Sequence, residues 1–411
     1  MRRYLALVLL LLVLIPGCWP RPRSLYVQAV SDGSGGAVIA WQDGDGIHAQ
    51  RLGPEGKPRW IMGGVLICES PNTFDPYGPQ RIQLTLTADG IGGTIITWDD
   101  RRNIPDDYDD PAYYDPVPVY SQRVSGSGAL LWGDGTATGT VVRIGGSFPK
   151  VIPDGTGGAV FTWNDYRTVF RGLHDDFLRL QKLDPEGRPS WGEEGVLVTA
   201  SSPYRPLTAE EIASGVKGTV TRSRPTYAGN QDIIEASDGP GDVMVLWVEE
   251  GTKKIEGRVY AQRIDGAGNP VWPDRVLVRA GQDLYSTSTV SDGAGGAVVA
   301  AIGESVVSHL QRVSGDGGLL WPDVGIPISM GYRSDVTSDG LGGLILYRSE
   351  AFPPIGPPSE RLTSLYLQRL DQNGEALWQE EPMFTPEKGQ VYDLDLVADS
   401  LVGTGLGTRS A

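Results

Sequence analysis

Cysteine occurs twice in the 411 residues and histidine three times. Two cysteines, one of them at the end of an N-terminal apolar run, leave no disulfide framework. Three scattered histidines offer no spacing for a multi-histidine metal centre. Basic residues are in deficit, and the net charge of −16 argues against nucleic acid and against electrostatic adhesion to an anionic lipid surface. Only one long apolar run exists, at Leu5 to Ile15, so no second segment is built to span a bilayer. No G-x-S-x-G elbow, no Ser-His-Asp order and no D-x-D-x-D-G calcium loop is present.

What the chain has in abundance is glycine, 56 residues, placed in a repeat. A DG pair occurs at Asp32, Asp89, Asp154, Asp238, Asp292 and Asp339; five read DGxGG and the fourth reads DGPGD. Each is followed by a short apolar run (AVIAW, TIITW, AVFTW, VMVLW, AVVAA, LILYR). Glycine supplies the positive φ of a tight turn, so DG before a β-branched run signals a hairpin. A second motif follows in every copy (HAQRL, YSQRV, RLQKL, YAQRI, HLQRV, YLQRL). Then come a Gly-containing turn and a Trp: Trp60, Trp132, Trp191, Trp272, Trp321 or Trp378. One run precedes the DG and one follows the Trp, which makes four strands per copy, A to D. Four-stranded repeats of this length predict an all-β propeller with six blades, seven being the alternative; a solenoid usually has a shorter period. An immunoglobulin-like array needs about 100 residues per unit. Unbroken apolar B runs fit strands covered on both faces by neighbouring blades. Features present in every copy serve the blade, so the Trp residues read as packing and the QR pair as an inter-blade hydrogen bond. His48 and His309 stand where other copies carry Tyr.

Residues 1–17 have the basic start and apolar core of a secretory signal. Ile15-Pro16-Gly17-Cys18 resembles the bacterial lipobox, in which the Cys is lipidated and becomes the mature N-terminus. That resemblance implies an exported lipoprotein held by its acylated Cys18 on the outer side of the cytoplasmic membrane or in an outer membrane. Trp19 is not the Asp that retains many such proteins at an inner membrane. Residues 18–24 then form a tether, residues 19–24 spanning about 20 Å at full extension, and residues 25–411 form one propeller domain. Cys68, in a D run, reads as a small buried hydrophobe. The chain offers seven A runs for six blades, counting Leu25–Val30 and Val391–Ala398. The C-terminal run is expected to join the first blade and lock the ring.

The copies differ mainly between B and C. From Trp41, Trp98, Trp163, Trp247, Ala301 and Tyr347 in the B runs to the Gln of QR or QK the gaps are 9, 24, 18, 15, 10 and 21 residues. The other long insertion, 199–231, lies between a D and an A strand. In an antiparallel blade these connections share a face, and loops on a rigid scaffold are where function concentrates. The 99–119 insertion carries seven Asp and three Tyr, including Asp106, Asp107, Tyr108, Asp109, Asp110, Tyr113 and Tyr114. Clustered oxygens hold Ca²⁺ in some loops; an acidic solvated loop is the alternative. The 164–177 insertion carries Tyr166, Arg167, His174 and Asp175, a material for metal or acid–base work as well as for binding. Loop 199–231 adds Arg205, Arg222 and Arg224. An acidic-aromatic loop and a basic loop on one face define a polar binding surface.

The second half of each repeat, as in QRLDQNGEALW at 368–378, resembles the tryptophan-docking motif of quinoprotein-type propellers, a group that includes an outer-membrane-assembly scaffold lipoprotein. The whole unit is similar to bacterial secreted propeller repeats of the form DGxGG…W…QR…G…W. These resemblances imply the fold and a scaffold role, and no cofactor. The expected function is a lipid-anchored envelope module that binds a protein or a glycan through its long-loop face. The alternatives are an envelope glycan hydrolase and a structural protein without a specific ligand. A hydrolase needs two convergent carboxylates; Asp43, Asp100 and Asp165 recur as W-x-D, and recurrence favours a structural role.

Overall fold

The computed structural model describes residues 27–384 apart from 44, 70–73, 76–77, 80–83, 101–117, 138, 145, 171–172, 199–230, 237–240, 250–255, 282–283, 304–306, 323–324, 330–332, 340–342, 353–361 and 379–380. The side chains of certain strand residues, 140–148 and 165–177 among them, are also outside the description. All regular structure among the described residues is β, in six four-stranded antiparallel sheets. The first contains β1 (Val27–Ser31), β2 (Ala37–Gln42), β3 (Gly46–Leu52) and β4 (Val65–Glu69). A two-residue ladder follows, β5 (Phe74–Asp75) with β6 (Gly78–Pro79). The second sheet contains β7 (Thr85–Ala88), β8 (Thr94–Asp99), β9 (Pro118–Val124) and β10 (Thr140–Ile144). The third contains β11 (Gly146–Pro153), β12 (Ala159–Phe170), β13 (Leu173–Leu183) and β14 (Val196–Leu197). The fourth contains β15 (Gln231–Glu235), β16 (Val243–Glu249), β17 (Gly257–Ile264) and β18 (Val276–Gly281). The fifth contains β19 (Leu284–Ser291), β20 (Ala297–Gly303), β21 (Val307–Val313) and β22 (Ile326–Ser329). The sixth contains β23 (Arg333–Ser338), β24 (Leu344–Phe352), β25 (Leu362–Leu370) and β26 (Glu381–Phe384).

Each sheet runs in chain order, and the first strands of consecutive sheets pack on one another. The first strands are therefore innermost, and the chain is a propeller of six four-stranded blades, as the repeat predicts. The described part of the Leu25–Val30 run, from residue 27 on, keeps its own place in β1, inner strand of the first blade. The C-terminal run at 391–398 lies outside the described residues.

The DG corner has a simple physical basis. Asp32 N–H donates to Gly36 O at 3.1 Å, and Gly36 N–H donates to Asp32 Oδ1 at 2.8 Å. The same reciprocal pair closes the corners at Asp89, Asp154, Asp292 and Asp339. The last Gly is dictated by crowding: a Cβ at Gly36 would sit 2.1 Å from Leu52 O, and one at Gly93 2.4 Å from Val124 O. In the fourth copy the turn is longer, Ala236 N–H donates to Asp242 O, and Asp242 takes over the duty of the corner aspartate.

Blades adhere through apolar faces and one repeated polar latch. Val243, Val245 and Trp247 pack toward the third blade; Met244, Leu246 and Val248 pack toward the fifth. This is the reason B runs are apolar at consecutive positions. The two members of QR have separate tasks. The Gln stays within its blade: Gln50 Oε1 accepts from Trp60 N at 2.9 Å, and Gln122 Oε1 accepts from Trp132 N at 2.9 Å. The Arg crosses between blades. Arg123 Nε donates to its own corner Asp89 at 2.9 Å while an Nη reaches Pro185 O in the next blade at 3.1 Å. The Trp132 indole donates to that same Pro185 carbonyl at 3.0 Å. Arg51 and Trp60 share Gly126 O, and Arg263 and Trp272 share Gly315 O. The QR pair is thus half an inter-blade bond, carried by the Arg alone.

Candidate functional site

Connections from B to C and from D to the next A leave the blades on one face, opposite the DG corners. On this face the third blade is unlike the others. The 164–177 insertion is not an irregular loop: β12 and β13 continue their ladder through it to the pair Phe170–Leu173. β12 has twelve residues and β2 has six; at roughly 3.4 Å per residue the hairpin projects about 20 Å further. Its register sets Tyr166 opposite Asp176, Arg167 opposite Asp175, and Thr168 opposite His174. An extended ladder wins here because the segment is rich in Thr, Val, Phe and Tyr, which favour strands, and holds no Pro. Tyr166, Arg167, His174 and Asp175 therefore lie on the arms of one hairpin. Asp106, Asp107, Tyr108, Asp109, Asp110, Tyr113 and Tyr114 lie outside the described residues, as do Arg205, Arg222, Arg224 and Cys18. The described flanks of those insertions, the ends of β8 and β14 and the starts of β9 and β15, all open on the hairpin's face.

The W-x-D aspartates stand at the ends of the B strands on the same side. Asp43 accepts from the Trp41 indole at 3.2 Å and from Asp45 N at 2.9 Å, with His48 Nε2 at 3.4 Å. Burial alone would raise its carboxyl, but the Asp45 N–H, the His48 charge, the Trp41 indole and the Gly46 N–H together hold it below the ordinary range. Asp100 is 1 % exposed, accepts from the Trp98 indole at 3.3 Å, and has Cys68 Sγ at 3.9 Å. Cys68 is a reduced thiol, fully buried in β4. In the fourth blade the position holds Glu249, which pairs with Arg275, whose guanidinium lies 3.9 Å over the Tyr260 ring. These carboxylates are engaged by donors of their own blade or its neighbour. DGDG at 43–46 is a capped turn on Asp43.

Toward the centre, Lys150 of β11 donates to Asp232 of β15 at 2.7 Å, an ion pair between the third and fourth inner strands. Glu235, on the same inner strand as Asp232, is reached by solvent, yet the protein bulk around it raises its carboxyl above the ordinary value. Among the described residues no group of three or more His, Cys, Asp or Glu is disposed to hold a metal ion. His309 is depressed by burial and then by the nearby Arg279 charge, in keeping with a blade position. Sequence reading missed Asp242 and the doubly used carbonyl. The second was recoverable, since the acceptor always stands three residues after the Arg or Lys of the C strand.

No family model matches the chain, and no curated protein matches it. Among solved structures it is similar in fold to the α-L-arabinofuranosidase Arb93A of Fusarium graminearum (12% identity, TM-score 0.43, covering 87% of this chain and 96% of that one). It is also similar to an α-L-arabinanase of Penicillium chrysogenum (13%, TM-score 0.39, 88% and 94%). A third is prolyl oligopeptidase B of Galerina marginata (11%, TM-score 0.43, 88% and 45%); the present chain spans less than half of that enzyme's length. The propeller assignment itself rests on the six ladders described above.

Proposed function

We propose that the chain is a lipid-anchored cell-envelope propeller that binds a protein or an envelope glycan through its long-loop face. The observation that carries this reading is the β12–β13 hairpin, a continuous ladder on the face where the described flanks of the acidic-aromatic and basic insertions end. A projecting antiparallel arm is built to reach another molecule, because its ladder runs on well past the length of the first blade's β2. Among the described residues the opposite face carries short, hydrogen-bonded A–B corners and C–D turns. The lipobox-like IPGC sequence supplies the envelope address. Hydrolysis is less well supported, since Asp43 and Asp100 are occupied by indole donors instead of standing as a paired acid and base.

The test uses purified full-length protein and two variants, one lacking 106–115 and one with 167–174 replaced by a two-residue turn. Each is incubated with solubilised envelope protein and with fragmented envelope glycan, and bound material is quantified. The reading expects at least a tenfold loss of binding in one or both variants with a thermal midpoint within a few degrees of wild type. Binding that survives both deletions would overturn it.

A further inference from the structure

The blades also differ on the corner face. The residue before each C–D Trp stands in the same place in all six. Its backbone N–H donates to the carbonyl of the C-strand Arg or Lys at 2.7 to 2.8 Å, for Arg59, Leu131, Ser190, Val271, Leu320 and Leu377 alike. Arg and Ser fill the position as well as an aliphatic residue does, so the blade does not require an apolar side chain there. Val271, Leu320 and Leu377 nevertheless present one to solvent in three successive blades, at 45%, 54% and 53% exposure. Apolar area left in water forfeits the gain from burying it. The three turns that carry these side chains form one run. The Trp272 indole of the fourth blade donates to Gly315 O in the fifth-blade turn at 3.1 Å, and Arg312 of the fifth donates to Gln372 O in the sixth-blade turn at 2.9 Å. Facing sheets pack roughly 10 Å apart, so the aliphatic side chains recur at about that interval.

The same run carries charge of one sign. Residues 265–272, 314–321 and 371–378 contain Asp265, Asp316, Asp371 and Glu375 and no Lys or Arg. The corresponding turns of the first and third blades contain Lys57, Arg59 and Arg188. Hydrogen bonds from the Asn269 N–H to Asp265, from the Ser314 hydroxyl to Asp316 and from the Glu375 N–H to Asp371 hold these carboxyls below their ordinary range, so all three are ionised at neutral pH. The cations nearest in sequence are engaged elsewhere. Arg263, Arg312 and Arg369 grip the corner carboxylates, and Arg275 pairs with Glu249 at the far end of β16.

The charge decides the occupant. A second copy docked turn to turn would set like charges against each other, and an anionic bilayer would be repelled. We propose that the C–D turns of the fourth, fifth and sixth blades form a docking surface for a Lys/Arg-rich amphipathic helix of another protein. Seven residues of helix rise about 10.5 Å. Apolar side chains one heptad apart therefore fall on Val271, Leu320 and Leu377 in turn, while flanking cations meet the carboxylates. The surface lies on the face opposite the β12–β13 hairpin and stands whether or not the long-loop face binds a partner.

Fluorescence anisotropy of a labelled three-heptad helical peptide, with Leu at the heptad core positions and Lys elsewhere, titrated with the full chain, tests this. The protein should bind this peptide, and should bind a version with Glu in place of Lys about tenfold more weakly or worse. The variant Val271→Ser, Leu320→Ser, Leu377→Ser should lose about tenfold in affinity, and so should the charge variant Asp316→Asn, Glu375→Gln. A control variant, Leu197→Ser, Leu277→Ser, Glu256→Gln, alters exposed side chains elsewhere and should bind as wild type does. Benzoylphenylalanine at position 320 keeps the site apolar and should cross-link to the peptide on irradiation. Absence of binding, absence of the cross-link, binding that survives the triple Ser variant, or an equal loss in the control would each overturn the proposal. Sedimentation with neutral phosphatidylcholine vesicles, or a concentration-dependent dimer, that is lost in the triple Ser variant would assign the face to lipid or to a second copy and would overturn it as well.

Discussion

Replacing Trp132 with Ala removes one of the largest fully buried side chains from the interface between the second and third blades. The side chain is 0% exposed, shares a cluster with Ile95, Val151, Phe161 and Trp163, and donates its indole N–H to Pro185 O at 3.0 Å. Truncating a fully buried Trp costs about 3–5 kcal/mol from lost burial and the cavity left behind. The hydrogen bond contributes about 1 kcal/mol of that, and its loss does not orphan the acceptor, because Arg123 still reaches Pro185 O at 3.1 Å. Trp132→Phe keeps most of the apolar contact and should cost about 1–2 kcal/mol, between a lost hydrogen bond and a small cavity. Trp378→Ala serves as the internal control. It is the same residue in the same motif, but 37% exposed, so it should cost less than half as much as Trp132→Ala. Urea unfolding followed by far-UV circular dichroism measures all three, with a common m-value as the check that the unfolding reaction has not changed. Equal costs for Trp132→Ala and Trp378→Ala would refute the claim that this Trp acts through the neighbouring blade.

Three further outcomes are expected. Cys18→Ala should shift the protein from the detergent phase to the aqueous phase in a detergent-partition assay, and a variant that stays with wild type would remove lipidation from the account. Burial would raise the Asp32 carboxyl, but hydrogen bonds from Ser34, Gly36 and Arg51 outweigh it and bring it to about 2 from the ordinary 3.8. A depressed folded-state value contributes stability that is complete above about pH 4 and fades as the pH falls toward 2. An acid titration of unfolding should therefore be shallower in that window for Asp32→Asn, and an unchanged slope would deny the corner its charge. Lys182 replaces the latch arginine in the third blade and stands 3.6 Å from Asp154. Lys182→Arg supplies the planar fork used elsewhere and should stabilise by up to about 1 kcal/mol in the same urea assay; a loss of stability would count against the latch.

Much of the architecture was legible because it repeats. Six DG corners, six QR or QK motifs and six Trp turns lead to six four-stranded sheets, and the A, B, C and D runs fall on the strands observed. What escaped was local competition. DGPGD displaces the corner duty to Asp242, which stands where the other copies carry the last Gly of DGxGG and offers Arg263 its carboxylate there. The 164–177 segment interrupts the repeat as a loop would, yet its β-rich composition lets the existing ladder run on. The function-bearing differences between copies are the least readable part, since each occurs once and has no second copy to compare with.

The latch acceptor is a main-chain carbonyl, contributed by Gly126, Pro185, Gly266, Gly315 and Gln372 in turn. A carbonyl belongs to every residue, so a blade recognises its successor without requiring any particular side chain there. Duplication of one repeat unit therefore yields a partner that its neighbours already accept, with no compensating substitution. A gene built from such units can lengthen or shuffle its blades, because each docking turn presents the same backbone oxygen whether Gly, Pro or Gln stands there.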